Sequence, residues 1–232
     1  MDNKIKRPNL LSCWGLSFQI ELAYDKQRFI FLMDTSGSHK TLLTNAEKMG
    51  IDFQEILAVF ISHWHGDHCG ALTKLLPLLK LPIPIYLPSE NPSAELKIRE
   101  LGGMPEVRAT PARIARGCIS TGRVEGGIAE HSVVINIKDK GLIVLTGCAH
   151  PGLIRVVETS RQVSGVSRVH AVIGGFHVSS EKEVTPILEY FHRLEVSLVS
   201  PCHCTGAGAK EAFKEAMGDK YVENGSGCII LI

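Results

Sequence analysis

Six consecutive residues constrain this chain more than any others: His63-Trp64-His65-Gly66-Asp67-His68 puts four metal-competent side chains in one short stretch. Neutral imidazole nitrogen and carboxylate oxygen suit zinc, and equally iron or manganese. Ligands packed this densely need a rigid base, and the sequence supplies one. Residues 56–61 are a short apolar run, read as a buried strand that delivers the chain straight into the motif. Gly66 lets the backbone fold tightly between the ligands, and a helix is expected over residues 71–79. In that strand–turn–helix setting, His63 and His65 can serve one ion while Asp67 and His68 address a second. Histidines clustered by chance on a surface turn would lack such a setting.

The rest of the chain reads as α/β. Residues 16–22 and 28–33 form a hairpin around Tyr24-Asp25-Lys26, followed by the turn Asp34-Thr35-Ser36-Gly37 and a helix over 40–49 closed by Gly50. A strand is expected at 83–87. In the second half, strands at 132–137 and 142–145 are joined by Lys138-Asp139-Lys140-Gly141. A helix covers 153–162 and a buried strand 169–173. Ser180 with Glu183 has the capping-box spacing before a helix ending near Leu194, which puts Pro186 in its first turn or at a kink. A strand at 197–200, a helix over 207–217 ended by Gly218, and a last strand at 228–232 complete the pattern. Residues 90–130 are interrupted by glycines and give no clear elements. The alternation in both halves predicts one domain over 1–232, with helices covering sheets and a site built from loops at strand ends.

Composition bounds the partners. The formal net charge of +1 gives no long-range reason to expect nucleic acid or an anionic membrane. The most apolar stretch, 75–87, holds Lys80 and three prolines and cannot span a bilayer. No signal-peptide pattern opens the sequence, so a cytoplasmic protein is expected. The seven cysteines are odd in number and are expected as reduced thiols, with Cys69, Cys118 and Cys228 acting as small buried hydrophobes. Oligomeric state is left open.

The H-x-H-x-D-H run matches in full the signature of the metallo-β-lactamase superfamily, which this chain resembles over nearly its whole length. The resemblance implies an αββα sandwich carrying a dinuclear site. It implies that His63 and His65 share one ion with a later histidine, and that Asp67 and His68 share the other with a histidine near the C-terminus. His150, in Thr146-Gly147-Cys148-Ala149-His150, and His203, in Pro201-Cys202-His203-Cys204, follow expected strands and fit those roles. His131 is the rival for the first of them. Many members bridge their metals with a strand-end aspartate, but this chain has Cys148 at the comparable place, as a thiolate ligand or beside a bridging water. Whether one or two ions bind is therefore open. Asp34 corresponds to the superfamily aspartate that orients a ligand or its loop, although Ser36 interrupts the usual Asp-Thr-Gly.

Val172-Ile173-Gly174-Gly175-Phe176-His177, Gly147-Cys148-Ala149-His150-Pro151-Gly152 and Cys13-Trp14-Gly15-Leu16-Ser17-Phe18 resemble one branch of the superfamily, the dihydropterin ribofuranosyl-aminobenzene phosphate synthases and their relatives. His177 is expected to face the metals, as substrate ligand, proton donor or extra metal ligand. The expected chemistry is hydrolysis of an ester, phosphoester or related bond in a small molecule. Two divalent cations, zinc or alternatively iron or manganese, would supply hydroxide at neutral pH. Asp67 would orient the nucleophile and His177 assist the leaving group. The residues do not name the substrate; by analogy with that branch, a phosphorylated pterin-type precursor is the expected class, with its condensation as the alternative to hydrolysis. The alternatives are a di-iron redox protein and a non-catalytic metal-binding sensor.

Overall fold

A computed structural model describes residues 1–232. Contacts divide the chain into two compact units, Met1–Arg108 with Gly225–Ile232, and Ala109–Asn224. No helix is long and apolar enough to cross a membrane.

The first unit contains β1 (Phe18–Tyr24), β2 (Gln27–Met33), α1 (His39–Met49), β3 (Ala58–Phe60), α2 (Gly66–Cys69), α3 (Leu72–Leu75), β4 (Pro84–Leu87), α4 (Pro92–Glu100) and β5 (Met104–Val107). Its sheet runs β1-β2-β3-β4-β5. β1 and β2 are an antiparallel hairpin with Tyr24 opposite Gln27, and every later pairing is parallel. Parallel strands are buried on both faces and so read as continuous apolar runs. Ile30, Leu32, Val59, Ile85 and Leu87 pack with Leu42, Leu72, Leu75 and Ile98 from the helices. Phe31, Met33 and Phe60, on the opposite face, are equally buried. α1 starts where the Ser38 hydroxyl accepts the Thr41 N–H, and it stops at Gly50, left-handed at φ 70°. The helix expected over 71–79 is shorter. α3 passes into a 3₁₀ turn at Leu76–Leu78, where Pro77 has no N–H to continue an α-helical ladder.

The second unit contains β6 (Ala112–Ala115), β7 (Cys118–Ser120), β8 (Val133–Ile137), β9 (Gly141–Thr146), α5 (Leu153–Ser164), β10 (Val169–Gly175), α6 (Glu181–Arg193), β11 (Leu198–Cys202) and α7 (Ala207–Met217). The sheet order is β11-β10-β9-β8-β7-β6. β9, β10 and β11 are parallel, whereas β6 to β9 form an antiparallel meander. Val134, Val144, Val172 and Val199 face a core completed by Val156, Ile187, Phe191 and Phe213 from α5, α6 and α7. The capping box at Ser180 and Glu183 is present. Pro186 lies inside α6, in its second turn, and the helix continues past it to Arg193. The amphipathic face of Val184, Ile187, Tyr190 and Phe191 is buried on both sides of the proline and holds the helix in place.

The strand expected at 228–232 does not form. Ser226 pairs with Ile5 instead, and the tail beyond it has no ladder, leaving Ile229 68% and Leu231 90% exposed. β-propensity makes no strand without a partner edge. The illegible stretch 90–130 holds α4 and three short strands, β5, β6 and β7.

The arrangement matters for function because ligands in open α/β sheets bind beyond the carboxyl ends of parallel strands. In the first unit, Asp34 follows β2 and His63 to His68 follow β3. In the second, Cys148 and His150 follow β9, His177 follows β10, and His203 follows β11.

Candidate metal centre

In the first unit the ligand motif is organised by one buried carboxylate. Asp34, fully buried, accepts the Ser62 N–H at Oδ1 at 2.7 Å. Its Oδ2 accepts both the Ser62 hydroxyl at 2.7 Å and His68 Nδ1–H at 2.6 Å. The Ser62 hydroxyl has one proton and gives it to Asp34, so His63 Nδ1, 3.0 Å from that oxygen, is the donor there. Both buried imidazoles are thereby protonated at Nδ1, which leaves Nε2 as the lone-pair nitrogen. This is the tautomer a metal ligand needs, fixed by the partners behind it. His63 Nε2 lies 3.1 Å from His65 Nδ1, close to the ~3.3 Å between two nitrogens on one tetrahedral zinc. Asp67 and His68 occupy the first turn of α2, with His68 Nε2 4.0 Å from Asp67 Oδ2. The donor set therefore fits divalent cations in type, tautomer and convergence.

The loop carrying these ligands is held backbone to backbone. Leu16 N–H donates to the Asp67 carbonyl at 3.0 Å and Thr35 N–H to the His68 carbonyl at 2.6 Å. Gly15, at φ 151°, has no room for a side chain: a Cβ there would lie 2.6 Å from Gly37 N and 2.8 Å from the Asp67 carbonyl oxygen. This gives Cys13-Trp14-Gly15-Leu16 a physical role, as a clamp on the metal loop. Asp34 and Ser36 sit at φ 63° and 65°, strained conformations of the kind that gather at functional sites.

A second cluster lies at the carboxyl ends of β9, β10 and β11. Ligand atoms of Cys148, His177 and Cys204 all lie within 4.8 Å of one another. The His150 and His177 rings stand 4.5 Å apart between centroids. Ala149, His177 and His203 adopt left-handed backbone at φ 58°, 49° and 50°. In the Gly-Gly-Phe-His segment the two side chains part company. Phe176 is buried against the Phe213 ring at 5.4 Å, whereas the adjacent His177 is exposed. Hydrogen bonding to Cys148 and then to His177 lowers the Cys204 thiol to about 7, against the opposing effect of burial.

Glu130 was not legible as a site residue, yet it organises this cluster. Fully buried, it accepts the Thr146 hydroxyl at 3.0 Å and the N–H groups of Cys148, Ala149 and His150, each at 2.9 Å. Its carboxylate does for the loop after β9 what Asp34 does for the loop after β3. Cys204, whose sulfur lies in this cluster, was also not singled out as a site residue. The one hint was its place beside His203. His131 is fully buried with Nδ1 3.0 Å from the Ser120 hydroxyl, inside the sheet-end network of β7 and β8. Burial raises Cys118 to about 12, and burial with the neighbouring Asp34 charge raises Cys69 to about 11, so both remain thiols.

No protein-family model matches the chain. It is 27% identical to the 7,8-dihydropterin-6-methyl-4-(β-D-ribofuranosyl)-aminobenzene-5'-phosphate synthase of Methanocaldococcus jannaschii, over 93% of this chain and 89% of the relative. An uncharacterised protein of the same organism is 26% identical over 83% and 84% of the two chains. Among solved structures, Tm1679, a metal-dependent hydrolase of the β-lactamase superfamily, superposes with a TM-score of 0.77 at 24% identity, covering 100% of this chain and 96% of its own. The metallo-β-lactamase fold protein YhfI of Bacillus subtilis gives 0.65 at 11% identity, over 98% and 96%. Human tRNase Z, short form, gives 0.60 at 14%, over 100% and 97%. The fold expected from the ligand motif is therefore the fold of this chain, that of the metallo-β-lactamases.

Proposed function

We propose that this chain, a protein of the metallo-β-lactamase fold, is a metal-dependent hydrolase acting on an ester, phosphoester or related bond of a small molecule. The observation that carries the reading is the pre-set tautomer of His63 and His68. Asp34 and Ser62 fix both rings through Nδ1 and reserve Nε2 for a cation. The ions would be held by His63, His65 and His150, and by Asp67, His68 and His203, the set that the motif resemblance implies. When bound, two zinc ions, or iron or manganese in their place, bring the pKa of a water to roughly 7 and polarise a carbonyl or phosphoryl oxygen. The part-exposed Asp67 carboxylate orients the attacking water by accepting a hydrogen bond from it. The exposed His177 imidazole passes a proton to the leaving group. The relative named as a phosphate synthase, similar along 93% of this chain, points to a phosphorylated pterin-type precursor as substrate class. The same similarity favours a second reading, in which such a precursor is condensed instead of hydrolysed.

Elemental analysis by plasma mass spectrometry tests the reading, run on the protein and on His65→Ala combined with Asp67→Ala. At least two zinc or manganese ions per chain, two of them lost in the variant together with turnover of aryl phosphoesters, is the expected result. Two irons with a visible charge-transfer band would replace it with redox chemistry, and metal without turnover of any ester would leave a sensor. Formation of the dihydropterin–ribofuranosylaminobenzene phosphate conjugate would establish the condensation. A protein that takes up no metal under any condition would end the proposal.

A further inference from the structure

We propose that Cys148, His177 and Cys204 form a thiolate-rich site within the second unit for a cation of the zinc class, additional to the histidine–aspartate set. Two strand-end loops each carry a cysteine beside a histidine, Cys148 near His150 and Cys204 next to His203. The motif resemblance uses the histidines, puts Cys148 at the place of the bridging aspartate and leaves the Cys204 sulfur unassigned. Those sulfurs and the His177 imidazole nitrogen lie within 4.8 Å of one another. A tetrahedral zinc with sulfur at about 2.3 Å and nitrogen at about 2.0–2.1 Å needs donors roughly 3.5–3.8 Å apart, so small side-chain adjustments close the set.

Three features show a built arrangement. The Cys148 N–H is anchored on the buried Glu130 carboxylate at 2.9 Å. The loops after β10 and β11 are tied together, since Phe176 N–H donates to the Thr205 hydroxyl at 3.1 Å and Gly206 N–H to the Val178 carbonyl at 2.8 Å. Gly175 makes the space: a Cβ there would lie 2.7 Å from Cys204 Sγ and 2.4 Å from the Gly147 carbonyl oxygen. Cys148 is buried and Cys204 half-buried, whereas His177 is exposed, so an ion can enter from the histidine side. Two sulfurs and one nitrogen select zinc-like and softer ions over magnesium or calcium. On binding, each thiol releases its proton to solvent as its sulfur bonds the metal. A filled site also occupies the His177 lone pair, so His177 acts on a leaving group only while the site is empty.

The test is a titration of the metal-free, full-length, reduced protein with cobalt(II) alone. The expected result is a thiolate-to-cobalt charge-transfer band saturating at one thiolate-bound ion per chain. The band should be lost in Cys148→Ser and in Cys204→Ser, weakened in His177→Ala, and retained in His63→Ala combined with His65→Ala. X-ray absorption on the wild-type complex, which depends on no variant folding, should count two sulfur neighbours at that ion. A wild-type protein with free thiols but no such band, or a band surviving both serine variants, overturns the site. Neither readout involves hydrolysis or the metal content of the His65 and Asp67 variant, so the proposed function can fail while this site stands, and the reverse.

Discussion

Glu130 and Asp34 show that the rigidity of these loops resides behind the ligands. Each is a fully buried carboxylate whose oxygens are spent on N–H and O–H donors of the loop it holds. A buried charge is tolerated only when it is satisfied in this way. Glu130→Gln tests the point with almost no change of shape. The amide oxygen can keep the Oε1 partners, Thr146, Cys148 and Ala149, but its NH₂ group would face the His150 N–H that Oε2 now accepts. One charge-assisted bond is replaced by two opposed donors, a loss of about 1–3 kcal/mol. The urea midpoint should fall accordingly, and metal affinity should drop roughly 10–100-fold, as for partners that orient ligands elsewhere. An unchanged midpoint with unchanged affinity would show that the loop stands without this anchor. The ligand motif was legible because its donors are contiguous in sequence. Glu130 was not, because all but one of its partners are backbone groups 18 to 20 residues later, and no side-chain pattern records them. The same holds for Gly15, whose need is set by the approach of Gly37 and Asp67.

At the scale of elements, period and punctuation found the long pieces. α7 runs from Ala207 to Met217 as its apolar spacing and Gly218 require, and α6 begins at the Ser180–Glu183 box. What failed is equally physical. The strands of residues 104–120 are only three or four residues long, too short for a period to register, and the 228–232 segment has strand-like side chains but no edge to join. The capping box carries a pH signature. Glu183 accepts from the Ser180 hydroxyl, then from the N–H groups of Ser179 and Ser180 and from the Ser179 hydroxyl, which together lower its carboxyl from 4.5 to about 2. The folded state therefore holds the proton less tightly than the unfolded chain. Its contribution to α6 is complete above about pH 4.5 and disappears as the pH falls toward 2. The group is fully exposed, so the effect should be confined to the helix start. Amide protection over the first turn of α6, taken relative to the intrinsic exchange rate at each pH, should fall as the pH drops across that window in the wild type. Glu183→Gln should show lower protection at neutral pH and little further change on acidification. Equal acid sensitivity in the two proteins would show that the box contributes nothing to the helix.

For the whole molecule, the decisive quantity is how much of its stability comes from metal. Ligand-bearing loops at strand ends hold several strained residues, Asp34, Ser36, Ala149, His177 and His203 among them, each costing on the order of 1–3 kcal/mol. The two cores supply the fold, and cations acting on these loops would offset the strain. An ion that binds the folded state alone stabilises it by about 2.7 kcal/mol at a hundred times its dissociation constant. For a chain of this size each kcal/mol moves the melting temperature by roughly 2–4 °C, so one ion at that occupancy is worth about 5–11 °C. Thermal unfolding with and without a strong chelator should show a shift of at least this size, restored by zinc. The comparison gains force from two variants. In Cys148→Ser combined with Cys204→Ser the chelator shift should shrink but persist, because the histidine–aspartate set is intact. In His65→Ala combined with Asp67→Ala it should lose its larger part. A melting temperature indifferent to chelator and zinc in the wild type would mean that the preset imidazoles are held by hydrogen bonds alone, and the metal reading of both clusters would fall together.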